Sequence, residues 1–343
     1  MVSERGERPM THKVVVVLVS LWVLVAWFAC ARAASLIEEA EKERSVVFYG
    51  SVPEDQITKL SEAFQKKHPF LTVQYVRAGP SALLNRVFTE ARARSHFVDV
   101  ISLDTFSAWL VKEAGLLQPF KSKETDAFPA QYRDADGLIP CCMYVLTNVI
   151  GYNTRLISKN EAPTSYQDLL DPKWKGKMGL NTDDSKWFAP LVRIWGKEKT
   201  VNYFQALMRQ EPLLRENPAL QGQLLAAGDV NVVVNLFGYY VLDLQARGAP
   251  VDIVQADPTI LRPGHLLLAK QAPHPNAAKL FMDYVHSAEG QQVLADLGRE
   301  VARPGIKMKY PRLLQAVNLY PVKPEMAKDY DQLNKLYLSV LKQ

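Results

Sequence analysis

The residues of this chain that could do chemistry are mostly oxygen donors. Asp104 directly follows an apolar, strand-like run at 98–103 and precedes a helical pattern. Its carboxylate either caps that helix or faces a ligand, where it suits a cation or an amine. Tyr239 and Tyr240 come after Gly238, just past the apolar run at 230–236. Phenolate is a hard oxygen donor suited to a trivalent cation, which must depress a phenol pKa that starts near ~10. Two aromatic rings covering a helix–sheet seam give the same pattern. Asp183 and Asp184 open a helix carrying Trp187 and Phe188. One carboxylate reads as a cap that suits the helix dipole and the other as a ligand contact, with Trp187 either on a cleft wall or in the core.

Four further positions are polar contacts of a plainer kind. Ser51 and Ser81 stand at a strand end and a helix start, where hydroxyls and free amides converge, as ligand contacts or as caps. Tyr144 lies on a long extended run and is expected near the floor of a hinge. Asn235 ends an apolar strand, and a buried amide there needs partners from protein or ligand. The six histidines show no metal-type spacing; His274 and His286 read as residues that cap or border helices. Gly-x-Ser-x-Gly, a phosphate loop, Gly-x-Gly-x-x-Gly and His-Glu-x-x-His are all absent, which argues against an enzyme.

The elements that must position these residues alternate between short apolar strands and amphipathic helices, the signature of α/β layering. Strand patterns at 45–50, 71–76 and 98–103 alternate with helical patterns at 55–67, 81–93 and 106–114, predicting a parallel sheet with right-handed crossovers. The extended run at 139–152, interrupted by Pro140, reads as a strand leaving one sheet for another. A second α/β unit follows, with strands at 177–180 and 230–236 and helices at 185–195, 198–209 and 220–227. Extended runs at 251–254 and 265–269 lead back toward the first unit. Helices at 276–286 and 288–297, capped by Asn276 and Ser287, and an amphipathic helix at 328–341 complete the pattern. The fold class is therefore α/β: two lobes, each a mainly parallel sheet flanked by helices, on a two-strand hinge, with any ligand between them. The expected bounds are 45–140 plus 262–305 for the first lobe, 145–257 for the second, and 306–343 packing across both.

The chain has 343 residues and 41 basic against 36 acidic side chains, with the positives scattered among acids. That distribution excludes a nucleic-acid partner. Arg5, Arg8 and Lys13 precede an apolar run at 14–29 and then Ala31-Arg32-Ala33, the layout of a secretory signal peptide over residues 1–33. A retained membrane anchor and a lipid-bearing Cys30 are the alternatives. Beyond it only the adjacent Cys141 and Cys142 remain, and neighbours rarely form a disulfide.

Several stretches resemble bacterial extracellular solute-binding proteins of ABC transporters, most of all the ferric-iron-binding group. They are residues 46–51 (Val-Val-Phe-Tyr-Gly-Ser), 63–69, 98–104, 151–155 (Gly-Tyr-Asn-Thr-Arg), 171–177 (Asp-Pro-Lys-Trp-Lys-Gly-Lys), 274–284 and 287–290. The resemblance implies a periplasmic protein, working as a monomer, that closes about its hinge on a small solute or metal ion. It would then feed a membrane permease. It implies no cofactor beyond ferric iron as the transported ligand, with Asp104, Tyr239 and Tyr240 as its ligands if iron is the cargo. Two positions depart from the ferric pattern. Ser51-Val52-Pro53 stands where relatives often have His or Tyr, and Asp183-Asp184 where they hold a counter-anion. An organic amine, phosphonate or carboxylate therefore stands beside iron, with Arg77 and Arg155 as the residues to examine for an anion. A sensor docking to a membrane receptor would look the same in sequence.

Overall fold

The computed structural model describes residues 36–182, 184–316 and 318–342, so the N-terminal segment with its expected cleavage site, and Asp183, lie outside the described residues. The first half of the molecule is built on β1 (Ser45–Gly50), β2 (Thr72–Arg77) and β3 (Val100–Asp104), ordered β2-β1-β3 and all parallel. The crossovers are α1 (Glu54–Lys67) and α2 (Pro80–Arg92), and α3 (Thr105–Glu113) leaves the end of β3. Residues alternate between the faces of the sheet, as a period of two demands. On β1, Val46 and Phe48 join a core with Ile57, Leu60 and Phe64 of α1. Tyr49 faces the other way, with Leu83 and Val87 of α2.

The hinge is a pair of long strands. β4 (Cys141–Asn153) pairs through residues 141–147 with the strand that borders β3, and its second half, 148–153, belongs to another sheet. That second sheet contains β5 (Met178–Asn181), β6 (Leu213–Arg215), β7 (Val232–Phe237) and β8 (Val251–Val254), with β7-β5-β6 parallel. Its helices are α4 (Ser185–Trp195), α5 (Lys197–Met208), α6 (Pro218–Ala227) and α7 (Gly238–Ala246). The chain returns along β9 (Thr259–Leu268), antiparallel to both β3 and β4. The two-lobed α/β architecture expected from the strand and helix pattern is thus the one observed.

After β9 the chain adds α8 (Pro275–His286) and α9 (Ala288–Asp296) to the first lobe. Asn276 does not cap α8. His274 occupies that position, and Glu43 accepts hydrogen bonds from the Asn276 and Ala277 amides. Ser287 does cap α9, accepting from the Gly290 amide at 3.1 Å. The final helix, α10 (Tyr330–Val340), lies on α4, with the Tyr337 ring tilted against Phe188 at 5.4 Å. Tyr330 also reaches Phe106 of α3, ring to ring at 4.5 Å, so the C-terminal segment touches both lobes. Cys141 and Cys142 are free and buried. Among the described residues no helix is long and apolar enough to cross a membrane.

On the paired hinge strands Gly264 lies opposite Tyr144. A Cβ added there would come within 2.5 Å of the phenol ring. Gly264→Ala is expected to cost about 1–3 kcal/mol of stability by forcing the ring aside. Urea unfolding checks this, and an unchanged midpoint would show that the hinge floor has room to spare.

Candidate functional site

The parallel strands of the first lobe end at Gly50, Arg77 and Asp104, and those of the second at Asn181 and Phe237. Antiparallel pairing of β7 with β4 puts Phe237 beside Asn148, at the hinge. The carboxyl ends of both sheets therefore face the junction between lobes, where open α/β sheets bind ligands.

Asp104 fills the capping role considered for it, and its other oxygen meets a cation of the protein itself. Its Oδ1 accepts from the amides of Phe106 (3.1 Å) and Ser107 (3.2 Å), capping α3, and its Oδ2 accepts from the Ser107 hydroxyl. The same Oδ2 is 2.7 Å from Nζ of Lys186, on α4 of the other lobe. Burial alone would raise the Asp104 pKa. The Lys186 ammonium, the Ser107 hydroxyl and the Arg262 guanidinium outweigh it and hold the carboxyl at about 2.

Asp184 is buried and makes no side-chain cap on α4. It pairs instead with Nη1 of Arg262 on hinge strand β9, at 2.6 Å, and accepts a short hydrogen bond from Asn235 Nδ2. Asn235 in turn accepts from Asn148 Nδ2 at 2.6 Å. The partners that a buried Asn235 requires are therefore protein groups. Arg262 also lies 5.2 Å from the Phe237 ring centroid, and that ring stacks on Tyr239 at 6.4 Å.

Tyr239 leads to the last cluster. The Arg299 guanidinium sits 4.5 Å from its ring centroid and 5.3 Å from that of Tyr144. Tyr144 belongs to the first-lobe half of β4 and Tyr239 to the first turn of α7, so Arg299 is held between aromatic rings of opposite lobes. Gln56 Oε1 accepts from Arg299 Nε at 2.7 Å. Burial raises the Tyr144 pKa; Arg299, Ser51 and Ser102 at its hydroxyl end pull the other way.

Beneath this cluster lies the buried Glu300. Its carboxylate accepts from the Thr147 amide at 2.9 Å, from the Thr147 hydroxyl and from the Tyr239 amide, and its carbonyl accepts from Val145 N at 2.8 Å. Burial pushes this carboxyl up to about 7 against those hydrogen bonds and the nearby Arg299.

Three of the ten expected contacts are placed elsewhere. Trp187 is fully buried, packed edge-on to Phe204 in the second-lobe core, and lines no cleft. Tyr240 keeps edge contact with the Tyr239 ring but donates to the Ala219 carbonyl at 3.1 Å, its ring against Gly222 of α6. Successive helical residues point ~100° apart, yet the two rings still meet edge to face, 6.5 Å between centroids. Ser81 is exposed in the first turn of α2, where Gly79 is the capping residue. Of the iron set Asp104, Tyr239 and Tyr240, Asp104 is engaged by Lys186 and Tyr240 by the Ala219 carbonyl, and Tyr144 is the phenol that shares Arg299 with Tyr239. Arg77 and Arg155 are exposed, Arg155 just beyond the end of β4 remote from the hinge. The cations of the junction are Lys186, Arg262 and Arg299, which the sequence reading missed. Among the described residues no group of three His, Cys, Asp or Glu converges on a metal position.

The sequence profile of the bacterial extracellular solute-binding protein family matches residues 95–318, and the chain belongs to that family. It is 26% identical over 282 residues to iron uptake protein A2 of Synechocystis, covering 76% of this chain and 78% of that one. It is 24% identical over 266 residues to a probable ABC transporter periplasmic-binding protein of Sinorhizobium fredii, covering 73% and 74%. The fold matches that of Trichodesmium IdiA (FutA) in complex with iron and citrate, with a TM-score of 0.71 at 23% identity, covering 87% of this chain and 98% of that one.

Two pH effects follow. Glu300 holds its proton to higher pH when folded than its ordinary value of 4.5, so the unfolded chain binds fewer protons between 4.5 and 7. Stability then falls as pH rises through that window, and Glu300→Gln is expected to flatten the slope in thermal melts. Asp104 behaves oppositely, because its folded pKa is depressed. The contact with Lys186 is intact above about pH 4 and is lost as pH falls toward about 2. Small-angle scattering should show the lobes separating over that range in the native chain and no such step in Asp104→Asn.

Proposed function

We propose that this chain is the exported binding component of an ABC importer. It takes a solute between its lobes, as a monomer that supplies both walls of the cleft, and presents the closed form to a membrane permease. The basic and apolar N-terminal segment supports export with cleavage after residue 33. No catalytic role is assigned, in keeping with a family of binding proteins.

The cargo we infer is ferric iron carried by an anionic chelator. The observation that carries this reading is the pair of phenols, Tyr144 and Tyr239, presented from opposite lobes against one guanidinium. Phenol oxygens are hard donors for a trivalent cation. Lys186 answers Asp104 and Arg262 answers Asp184, which leaves Arg299 without an anionic partner among the described residues. Bare ferric iron meets repulsion there, and a chelate carrying carboxylates meets attraction. The iron named for the Synechocystis relative and the iron and citrate of the Trichodesmium complex agree with this reading.

The same charge arrangement favours one second reading, an organic carboxylate or phosphonate with no metal. It disfavours an amine, since among the described residues Asp104 and Asp184 are already paired with Lys186 and Arg262, and burial holds Glu300 toward its neutral form. Binding shifts the protein toward the closed form only through the ligand's higher affinity for that form.

Titration of the metal-free protein with ferric citrate, followed by visible absorbance, tests the cargo. A phenolate-to-iron charge-transfer band is expected. It should weaken in Tyr144→Phe and Tyr239→Phe and persist in Tyr240→Phe. No band at any concentration would remove iron and leave the organic anion.

A further inference from the structure

Arg299 is an unusual charge among the described residues. Only 4% of its surface is exposed. No carboxylate lies within ion-pairing distance of it among the described residues, and Nε to Gln56 is the one side-chain hydrogen bond it makes there. Guanidinium offers five N–H donors in a fixed plane, and the two Nη groups have no protein acceptor among the described residues yet are not sealed from solvent, so they stay open to a ligand. A buried charge ordinarily finds a partner, because desolvation costs several kcal/mol when it does not. The contacts with Tyr144 and Tyr239 offset part of that cost without using the Nη donors.

The local chain is built to hold this side chain in place. α9 ends at Asp296, and Gly298, at φ +89°, turns the backbone sharply before Arg299. That left-handed geometry is one that side-chain-bearing residues rarely adopt. The Arg299 amide then donates to the Leu294 carbonyl at 2.9 Å. Glu300, the next residue, ties the same segment to Thr147 of the hinge and to the Tyr239 amide. Gln56 fixes the Nε side of the guanidinium, which leaves the Nη edge as the free one. A planar pair of donors of this kind fits a carboxylate, phosphate or phosphonate in two-pronged fashion.

We propose that Arg299 is the subsite for an oxyanion group of the transported ligand, read against the Tyr144 and Tyr239 rings when the lobes close. This rests on the cleft being the ligand site, and it deepens that reading by naming the ligand's chemical class. The oxyanion has two sources, the carboxylates of a ferric chelate or the acid group of a metal-free organic solute. In either case the group touches a residue clamped between both lobes, so occupancy and closure are coupled through one side chain.

The test is calorimetric titration of the protein with three probes, citrate, ferric citrate and inorganic phosphate, at constant pH. At least one should bind the native chain. Arg299→Met should weaken that binding by roughly 30-fold or more, the expected loss when a buried, hydrogen-bonded charge is truncated. Arg299→Lys keeps the charge and most of the volume but not the two-pronged geometry. It should weaken binding by roughly 10-fold with an unchanged circular dichroism spectrum, which keeps the test valid if the methionine variant does not fold. Binding of citrate or phosphate alone would identify a metal-free anion as the source, and binding of ferric citrate alone the chelate. Unchanged affinity in Arg299→Lys, or no binding of any probe by the native chain, would overturn the subsite. An iron band that survives in Arg299→Met at native affinity would sink the subsite and leave the ferric cargo. Citrate binding that depends on Arg299 with no iron band would do the reverse.

Discussion

Charge removed from water at the junction of the lobes is the constraint on which the rest of the structure depends. Asp104, Asp184, Lys186, Arg262, Arg299 and Glu300 all lie there, largely out of solvent. Each must be answered or neutralised, because an unanswered buried ion costs several kcal/mol. Asp104 and Lys186 answer each other across the lobes, and Asp184 and Arg262 do so along the hinge. Glu300 moves toward its neutral form through burial. Arg299 has two aromatic faces and the Gln56 amide but no ion-paired carboxylate among the described residues, and the proposed preference in ligand charge rests on that asymmetry.

The hinge explains why these charges can be close together without one compact core. β4 gives its first half to one sheet and its second half to the other, and β9 runs back alongside. Tyr144, Thr147, Asn148, Arg262 and Gly264 are therefore hinge residues and site residues at once. A bend in either strand changes the distance from Tyr144 to Tyr239, and with it the clamp on Arg299. In the proposed site, ligand recognition and lobe movement would use the same atoms, so an affinity difference for the closed state would become a conformational signal.

Much of the fold was legible in sequence because strand and helix periods differ, and here the apolar residues follow them cleanly. The long run at 139–152 was readable as a crossing because no single buried strand needs that length. The site was only partly legible. Asp104 was found from its place at a strand end, and Tyr144 from its place on the crossing. For Trp187 the sequence leaves cleft wall and core both open, and the residue lies on the buried face of its amphipathic helix. Tyr239 and Tyr240 are neighbours in sequence, and only the helix beginning at Gly238 separates their directions. Arg262 left a trace, a lone charge between apolar residues in Thr-Ile-Leu-Arg-Pro-Gly-His-Leu-Leu-Leu. Arg299 left almost none, since its surroundings come from α1, β4 and α7, far away along the chain.

The most direct measurement is diffraction from crystals grown with ferric citrate, using anomalous scattering at the iron edge. The account expects a carboxylate of the ligand within hydrogen-bonding distance of the Arg299 Nη groups, and iron between the Tyr144 and Tyr239 oxygens. Citrate against Arg299 without an iron peak would keep the anion-selective cleft and remove the metal. Iron held elsewhere, with Arg299 turned onto a protein carboxylate, would contradict the central claim that this cleft selects its ligand by an acid group.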